Sequence, residues 1–322
     1  MNLDVLFVGT AGSAPTAGRG LPAILIRRGG DRLLFDCGEG TQRQLVRSIG
    51  LIELEEIFIT HFHADHVLGL PGLLKTFSLR GRERPLTVYG PRGLKGLFAG
   101  LAPIIGKTTF EVGLEELEPN AELRREGYRI AAFEVDHSVR AQGYALVEDQ
   151  RPGHFDPDRA RELGVSPGPD FGRLQRGEIV NGVRPEQVMG EPRRGRKVVL
   201  AGDTAPSEMT EAVAYHADLL VHEATFAHED ASRAAETRHS TARQAAELAA
   251  AAGVAMLALT HVSPRYGGGE LRDEARAVFR QTIVPRDFDR VEIPFPERGG
   301  PVHVKASDRP PEPEAEREPA VP

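Results

Sequence analysis

The sequence predicts an α/β protein built on mixed β-sheets, and three observations support this class. Apolar runs typical of strands alternate with helical patterns along most of the chain. The first strands follow one another as hairpins, which argues against a purely parallel sheet. With 322 residues, 40% of them hydrophobic and 27% charged, the chain can bury a full-sized core as one large domain or two smaller ones.

The first half of the chain supplies the hairpins and then the alternating elements. "LDVLFVG" predicts a strand that ends in a loop rich in small residues, and "LPAILIRRGGDRLLFDCGEG" predicts two strands around a turn at 29–31. "TQRQLVRSIG" predicts a helix closed by Gly50, and "VLGLPGLLKTFSL" a helix that Pro71 breaks or kinks. Further elements predicted here are the strands "EEIFIT", "PLTVYG", "YRIAAFEVDH" and "AQGYALVED", and a helix over 93–106.

The second half contains an irregular segment before the alternation resumes. Residues 151–197 include fourteen Gly or Pro among 47 and have weak periodicity, which predicts an inserted flexible arm. The tail from Ala306 is rich in Pro and charge, so we expect disorder over 306–322 and a main domain over 1–305. Between them we expect the strands "KVVLAGDT", "DLLVHEATF", "VAMLALTHVS" and "RVEIPF", and the helices "EMTEAVAYHA", "STARQAAELAAAAG" and "GGELRDEARAVFRQTI".

Composition limits the class of protein. Cys37 is the only cysteine, which excludes an internal disulfide and a cysteine-rich zinc site. The N-terminus has no basic leader followed by an apolar run, and no stretch approaches eighteen apolar residues. We therefore expect a cytoplasmic protein without a membrane partner. The net charge of −7 argues against nucleic acid binding over the surface as a whole.

The stretch "ITHFHADHVLGL" concentrates side chains that bind metals. His61 and His63 lie two residues apart, so an extended backbone points both to the same side. Asp65 and His66 follow at the turn into a helix. Imidazole and carboxylate together suit zinc, with manganese or iron as alternatives. One tetrahedral site could hold all four groups, but the adjacent Asp65 and His66 project differently and more naturally serve two ions.

Three more candidate ligands stand at the ends of predicted strands, where α/β enzymes place their chemistry. They are His137 in "FEVDHSV", Asp203 in "VVLAGDT" and His261 in "LALTHVS". Alone, each histidine could simply be a packed side chain, and Asp203 could cap a helix near Pro206 and Ser207. Their joint occurrence beside the clustered motif favours a dinuclear metal site.

These motifs carry a resemblance to a known family. In order they are "FDCGEGTQRQL", "ITHFHADHVLGLPGLL", "DHSV", "LAGDT", "VHEATF", "RHST" and "LTHVSPRY", spanning residues 35–266. The H-x-H-x-D-H motif resembles the metallo-β-lactamase superfamily. The full set resembles ribonuclease Z, the family of endonucleases that process the 3′ end of tRNA, in its short bacterial form.

The resemblance implies a four-layer αβ/βα sandwich with two Zn²⁺ ions at one edge of its sheets; Mn²⁺ or another divalent ion is an alternative. Two such ions about 3.5–4 Å apart act together on a phosphodiester. The ligand set it implies is His61, His63 and His137 for one ion, Asp65, His66 and His261 for the other, and Asp203 between them.

The resemblance also implies catalytic and substrate-binding roles. Asp65 would orient or deprotonate the attacking water, and His239 of "RHST", oriented by Glu223, would donate a proton to the leaving 3′ oxygen. The alternative for His239 is a neighbour of a helix cap. Candidate substrate contacts are Arg265, Tyr266 and Arg19. The family loop usually has Asn after this last arginine, and Gly20 stands here instead.

The arm at 151–197 holds ten Lys or Arg and seven Asp or Glu, a net charge of +3 in an acidic chain. It resembles the arm with which the family grips the tRNA elbow, and the short relatives form homodimers in which one subunit's arm serves the other's active site. The predicted function is removal of 3′ trailers from precursor tRNA, leaving a 3′-hydroxyl. The alternatives are a hydrolase of the same fold acting on a small phosphodiester, lactone, thioester or sulfate ester, and a non-catalytic RNA-binding protein.

Overall fold

The structure is a computed structural model that describes residues 1–308. Its strands are β1 (Leu3–Gly9), β2 (Ala23–Arg28), β3 (Asp31–Phe35), β4 (Glu56–Phe58), β5 (Leu86–Pro91), β6 (Val112–Leu117), β7 (Glu122–Arg125), β8 (Tyr128–Glu134), β9 (Gln142–Glu148), β10 (Lys197–Leu200), β11 (Leu219–Glu223), β12 (Met256–Thr260), β13 (Thr282–Ile283), β14 (Arg290–Glu292) and β15 (Val302–Val304). Its α-helices are α1 (Thr41–Ser48), α2 (Ala64–Val67), α3 (Leu70–Leu79), α4 (Leu94–Ile105), α5 (Pro157–Glu162), α6 (Pro169–Gln175), α7 (Glu208–Ala214), α8 (Ala231–Thr237), α9 (Ala242–Ala251) and α10 (Gly268–Arg276).

The strands form two mixed sheets, which confirms the predicted fold class. In the described residues the first sheet runs β15-β14-β1-β2-β3-β4-β5-β6 and the second β13-β12-β11-β10-β9-β8-β7. In the first, the hairpin strands β1, β2 and β3 pair antiparallel, whereas β3 to β6 pair parallel. In the second, β7 to β10 pair antiparallel and β10 to β13 pair parallel.

Strand β1 shows why the molecule has four layers. Its residues Leu3, Val5 and Phe7 belong to the apolar core between the two sheets. The alternate residues Leu6 and Val8 belong to a second core, where α1, α3 and α4 cover the first sheet. A third core joins α7, α9 and α10 to the outer face of the second sheet. Since successive side chains of a strand point to opposite faces, a strand that is apolar throughout must be covered on both sides.

The strand directions bring the candidate ligands to one edge of the sandwich. Strands β4, β10 and β12 each end shortly before a candidate ligand, at His61, Asp203 and His261 respectively. Antiparallel β9 starts at this edge, where the N–H of Gln142 donates to the carbonyl of Thr60. The carboxyl ends of parallel strands meet at one edge, which is where open α/β folds place their ligands.

The sequence prediction needs correction at several places. The helix predicted over 268–283 ends at Arg276, and Thr282 and Ile283 form strand β13 instead. Strand β15 and helix α8 were not predicted. Pro71 does not kink a helix: it lies in the first turn of α3, where a missing N–H costs no hydrogen bond. Strands β6 and β7 were not predicted, and both are edge strands rich in charged residues, which weakens the apolar pattern. Ala306–Asp308 is an ordered 3₁₀ turn whose first N–H donates to Asp289. The rest of the predicted disordered tail, 309–322, lies outside the described residues.

The arm is more structured than the sequence suggests. It contains α5 and α6 and has a small apolar cluster of its own, separate from the three cores of the body; this cluster comprises Ala160, Val165, Leu174, Val180, Val183 and Val188. The arm is therefore a small folded unit and not an irregular loop. It leaves the body between β9 and β10, at the sheet end opposite the candidate ligands. At about 3.3 Å per residue, β9 separates the two by about 20 Å.

The positive charge of the arm lies at its stem and not at its tip. Residues 156–191 contain five arginines and seven carboxylates, a net charge of −2. The five basic residues outside this tip are Arg151, Arg193, Arg194, Arg196 and Lys197. Four of them pair with carboxylates of the body: Arg151 and Arg193 with Glu297, Arg194 with Asp218, and Arg196 with Glu148. The net charge of +3 therefore does not reside at the tip of the arm, because most of the basic residues at its stem pair with carboxylates of the body.

Glu148 is the centre of the buried part of this anchor. Its carboxylate lies 2.7 Å from the Nε of Arg196 and 2.8 Å from the Nε of Arg28, and all three side chains are buried. Burial opposes ionisation of Glu148, but the hydrogen bonds and charges of Arg196 and Arg28 hold its pKa below the usual value. Arg196 thus pairs with this carboxylate alone within residues 1–308, and Arg28 has only the half-exposed Asp31, at 3.8 Å, as a second partner.

Replacing Glu148 with glutamine is expected to lower the free energy of unfolding by about 3–5 kcal/mol, since it leaves buried positive charge without a partner. Urea denaturation measures this change. Glu122→Gln is the control, because Glu122 forms an exposed ion pair with Arg129, and such pairs contribute about 0–1 kcal/mol. Equal effects of the two substitutions would contradict the anchoring role of Glu148.

No helix within residues 1–308 is both long enough and apolar enough to cross a membrane.

Candidate metal centre

Seven histidine and aspartate side chains converge at the ligand edge of the sandwich. They form two groups whose donor atoms lie within 4.8 Å of one another, namely His61, His63, His137 and Asp203, and Asp65, His66 and His261. Asp203 and His261 also form a third such group with His239. The loops after β4, β8, β10 and β12 and the short helix α2 supply the seven side chains, so residues up to 200 positions apart in the chain share one site.

The spacing of the donor atoms suits divalent cations. Oδ2 of Asp203 lies 3.4 Å from Nε2 of His66, 3.1 Å from Nε2 of His261 and 3.9 Å from Nε2 of His61. Oδ2 of Asp65 lies 3.3 Å from Nε2 of His261. Tetrahedral zinc with bonds of about 2.0–2.1 Å separates its donors by about 3.3–3.4 Å. Asp203 faces donors of both groups, which is the position of a shared ligand.

The second ring nitrogen of four of these histidines is held by an oxygen, which fixes the orientation of each ring. Nδ1 of His61 lies 3.0 Å from Oγ1 of Thr60, that of His66 2.8 Å from Oδ2 of Asp36, that of His137 3.1 Å from the carbonyl oxygen of Arg238, and that of His261 2.8 Å from Oγ1 of Thr225. Each Nε2 is thereby left to face the centre, whereas His63 presents Nδ1, 2.9 Å from Nε2 of His61.

One ring nitrogen among the metal donors lacks the hydrogen bond that its burial would require. Nε2 of His66 is buried and makes no well-oriented hydrogen bond within residues 1–308, although Oδ2 of Asp203 lies 3.4 Å away and buried polar atoms are nearly always paired. A cation between Asp65, Asp203 and His66 would satisfy it. The donor chemistry and this orphaned atom both fit a bound divalent metal.

The electrostatics of the site attract positive charge. Burial opposes ionisation of Asp203, yet His261, His66 and His61 hold its pKa well below the usual value. Burial likewise opposes a charge on His66, but Asp203 and Asp36 raise its pKa well above the usual value. The carboxylates therefore hold a proton at the nitrogen that a metal would occupy, so metal binding competes with protons here.

Two residues of the site have a strained backbone. Asp36 and His261 adopt left-handed φ angles of 57° and 56°, which costs a residue with a side chain about 1–3 kcal/mol. Gly12 packs against the second of them: a Cβ on Gly12 would lie 2.5 Å from Nδ1 of His261. Such strain persists where the surrounding contacts require it, as here, where both residues serve the donor set.

Asp65 is held by the loop after β1. The N–H of Ser13 donates to Oδ2 of Asp65 over 2.9 Å. Burial opposes ionisation of Asp65, but the hydrogen bond with His261 and the nearby His66 hold its pKa below the usual range. Its Oδ1 has no hydrogen-bond partner within residues 1–308, so this oxygen is free to accept a hydrogen bond from water.

His239 and Glu223 form a pair beside the donors. Nδ1 of His239 lies 2.6 Å from Oε1 of Glu223, whose other oxygen accepts a 2.5 Å hydrogen bond from Thr225. Burial lowers the pKa of His239, but Glu223 outweighs it and raises that pKa to about 9. His239 lies three residues before Ala242, the first residue of α9, and Thr241 is the residue that caps the helix. A protonated, oriented imidazole therefore stands next to the centre.

The three residues predicted to contact the substrate lie in different environments. Arg265 is exposed beside the site. The hydroxyl of Tyr266 donates to Asp230. Arg19 is half-buried and donates to Oγ1 of Thr10 and to the carbonyl oxygen of Pro285. Arg19 thus supports the loop around it, and its role in substrate binding stays a prediction.

Some residues of the site were not predicted as parts of it. Asp36, Thr60 and Thr225 carry no metal-binding pattern of their own, yet each holds a donor. The one feature of the sequence that could have indicated these three residues is their position, since each follows the end of a strand. Ser207, and not Asp203, caps α7, which removes the helix-cap alternative for that aspartate.

Fold and site together define a metallohydrolase class. The family model described as Metallo-beta-lactamase superfamily matches residues 18–261, so the chain belongs to that superfamily. A solved structure of the fold, YhfI from Bacillus subtilis, matches with a TM-score of 0.68 at 20% identity, covering 91% of this chain and 100% of its own.

More specific relatives narrow the family. Ribonuclease Z of Gemmatimonas aurantiaca is 48% identical over 307 residues, covering 92% of this chain and 98% of the relative. Ribonuclease Z of Natronomonas pharaonis is 48% identical and covers 92% and 100%. The crystal structure of human tRNase Z, short form, matches with a TM-score of 0.67 at 28% identity, covering 90% of this chain and 99% of its own. The chain belongs to the ribonuclease Z family.

Proposed function

We propose that the protein is a metal-dependent endoribonuclease that removes the 3′ trailer from precursor tRNA and leaves a 3′-hydroxyl. The similarity to ribonucleases Z over nearly the full chain carries this proposal. The donor cluster supports the reaction type, because paired divalent ions suit hydrolysis of a phosphodiester.

The ligand assignment follows the two donor groups. One Zn²⁺ ion would be held by His61, His63 and His137 and a second by Asp65, His66 and His261, with Asp203 shared. Histidine and carboxylate donors suit zinc, and Mn²⁺ also accepts this set. When bound, the ions supply Lewis acidity toward the phosphoryl oxygens.

The chain's own residues would move the protons. The free Oδ1 of Asp65 would accept a hydrogen bond from the attacking water and orient it. His239 would donate its proton to the 3′ oxygen as the bond to phosphorus breaks. Glu223 is a positioning residue in this scheme, because it fixes the His239 ring and favours its charged form.

A mapped cleavage reaction tests the function. The purified protein is incubated with precursor tRNA, with and without chelator, and the product ends are sequenced. We expect a cut beside the discriminator nucleotide that chelator abolishes. Absence of this cut, with hydrolysis of small phosphodiesters, lactones, thioesters or sulfate esters retained, would favour another hydrolase of this superfamily.

The proposed function also includes a role for the arm and for the assembly of subunits. We propose that residues 151–197 contact the tRNA at a distance from the cut, and that the protein acts as a cytoplasmic homodimer in which each arm serves the partner's site. The arm's exit, about 20 Å along β9 from the donors, supports action on another subunit. The net charge of −2 at its tip argues for contacts through individual groups and not through a basic surface.

Removing the arm tip is expected to lower activity on precursor tRNA much more than activity on a small phosphodiester. Replacing residues 156–191 with a short glycine linker keeps the stem contacts of Arg151 and Arg193 with Glu297. We expect kcat/KM for precursor tRNA to fall about tenfold or more, equivalent to about 1.4 kcal/mol. Hydrolysis of bis(p-nitrophenyl) phosphate should stay within about twofold, since the stem and donors are intact. Equal losses on both substrates would contradict a role of the arm in binding.

A further inference from the structure

We propose that a groove beside His261 binds the single-stranded RNA that continues from the scissile phosphate on the trailer side, with Arg272 and Arg286 contacting its phosphates. This inference rests on the proposed function, because it takes RNA as the substrate. The groove encloses about 480 Å³, within the range of about 300–1,000 Å³ that is common for ligand sites.

Both walls of the groove continue from segments that hold the metal centre. One wall contains Val262, which follows directly after the donor His261, and Tyr266 four residues further on. The other contains Thr16 and Arg19, from the loop whose Ser13 N–H holds Asp65. The groove therefore begins one residue beyond the donor His261 in the chain.

The groove contains two exposed guanidinium groups, one without an ion-pair partner within residues 1–308 and one that pairs only with an exposed carboxylate. The guanidinium of Arg286 is exposed and makes no hydrogen bond or ion pair within residues 1–308. Arg272 pairs only with its exposed neighbour Asp273, at 2.8 Å. Arginine offers a planar fork of donors that matches a phosphate group.

Arg19 differs from these two arginines because it is already engaged. Its guanidinium donates to Thr10 and to the carbonyl oxygen of Pro285, and it lies against Gly268, where an added Cβ would approach Nη2 to 2.9 Å. The nearest carboxylate, Asp287, accepts hydrogen bonds from Thr10, from the N–H of Gly20 and from Gln44. Arg19 therefore shapes the groove, and Arg272 and Arg286 are the cations free to bind an anion.

The chemistry of the cut assigns the strand. The tRNA side ends in the leaving 3′ oxygen and must face His239, the proton donor. The trailer side remains joined to the phosphate. One wall of the groove is the loop that holds Asp65, and Asp65 would orient the water that attacks phosphorus opposite the leaving oxygen. We therefore assign the groove to the strand that is still attached to phosphorus.

The test compares precursors that differ only in trailer length. The variant is Arg272→Ala with Arg286→Ala, and the control is Arg80→Ala with Arg280→Ala, which removes two exposed arginines outside the groove. We expect the groove variant to lower kcat/KM about tenfold for a trailer of several nucleotides. It should stay within about twofold of the unmodified protein for a one-nucleotide trailer and for bis(p-nitrophenyl) phosphate, which do not reach the groove.

Binding provides a second readout. In the His239→Ala background, which slows turnover, the slope of log Kd against log salt concentration should fall by about 1.4 for the long trailer, at about 0.7 per lost phosphate contact on a single strand. An equal loss for long and one-nucleotide trailers, or no loss for either, would overturn the inference. Cleavage by the unmodified protein is scored separately, so a failure of the proposed function is distinguishable from a failure of the groove.

Discussion

Replacing Asp203 with asparagine is expected to lower kcat/KM by about 10³-fold or more on both precursor tRNA and bis(p-nitrophenyl) phosphate. Asp203 is buried, and its Oδ2 faces nitrogen donors of both groups. An amide oxygen carries no net charge, so the shared position would hold two cations poorly. Metal chemistry contributes several kcal/mol to such reactions, and about 4 kcal/mol corresponds to a factor of 10³.

Metal content distinguishes this explanation from misfolding. We expect Asp203→Asn to keep less than two metal equivalents per chain after dialysis and to retain its circular dichroism spectrum. Asp149→Asn, a change of an exposed carboxylate at the far end of β9, is the control and should keep both metal and activity. Full activity of Asp203→Asn, or full metal content with activity lost, would contradict the bridging position.

Replacing His239 with alanine is expected to lower kcat on precursor tRNA by about 10²–10⁴-fold while metal content stays unchanged. His239 is not among the seven donors of the proposed ligand set, and the change removes its contacts with Glu223 and Thr225. The effect should be much smaller on bis(p-nitrophenyl) phosphate, because p-nitrophenolate leaves without being protonated. The ratio of the two losses therefore measures general acid catalysis directly.

Two comparisons sharpen the His239 experiment. His216→Ala removes an exposed histidine and should leave both rates unchanged. Glu223→Gln should lower the pKa of His239, since the carboxylate is what raises it to about 9, and should therefore move the alkaline limb of the kcat profile on precursor tRNA to lower pH. Equal losses of His239→Ala on both substrates would show that His239 positions the site and does not protonate the leaving group.

The sequence predicts the fold class and the candidate metal ligands, and there is a physical reason why it can. His137, Asp203 and His261 each follow an apolar strand, and strands of an α/β fold end at a common edge. The supporting groups were harder to predict. Asp36 and Thr225 act through one distant histidine each, and nothing in their local sequence specifies that partner.

The arm shows a second limit of prediction from sequence. The net charge of a segment can be counted from the sequence, but the residues with which its charged side chains pair cannot be predicted from it. Glu297, Asp218 and Glu148 lie outside the arm and pair with the arginines of its stem, so the charge that suggested RNA binding is used within the protein. Edge strands β6 and β7 were not predicted for a related reason. Half-exposed strands tolerate charged residues, and these obscure the alternating pattern of apolar and polar residues.

A metal titration tests the dinuclear centre most directly. Chelator-treated protein is titrated with Zn²⁺, and both bound metal and hydrolysis of bis(p-nitrophenyl) phosphate are followed against equivalents added. The seven donors predict that binding and activity both reach a plateau at two equivalents per chain. A plateau at one equivalent, or activity that persists in the chelated protein, would contradict the dinuclear centre.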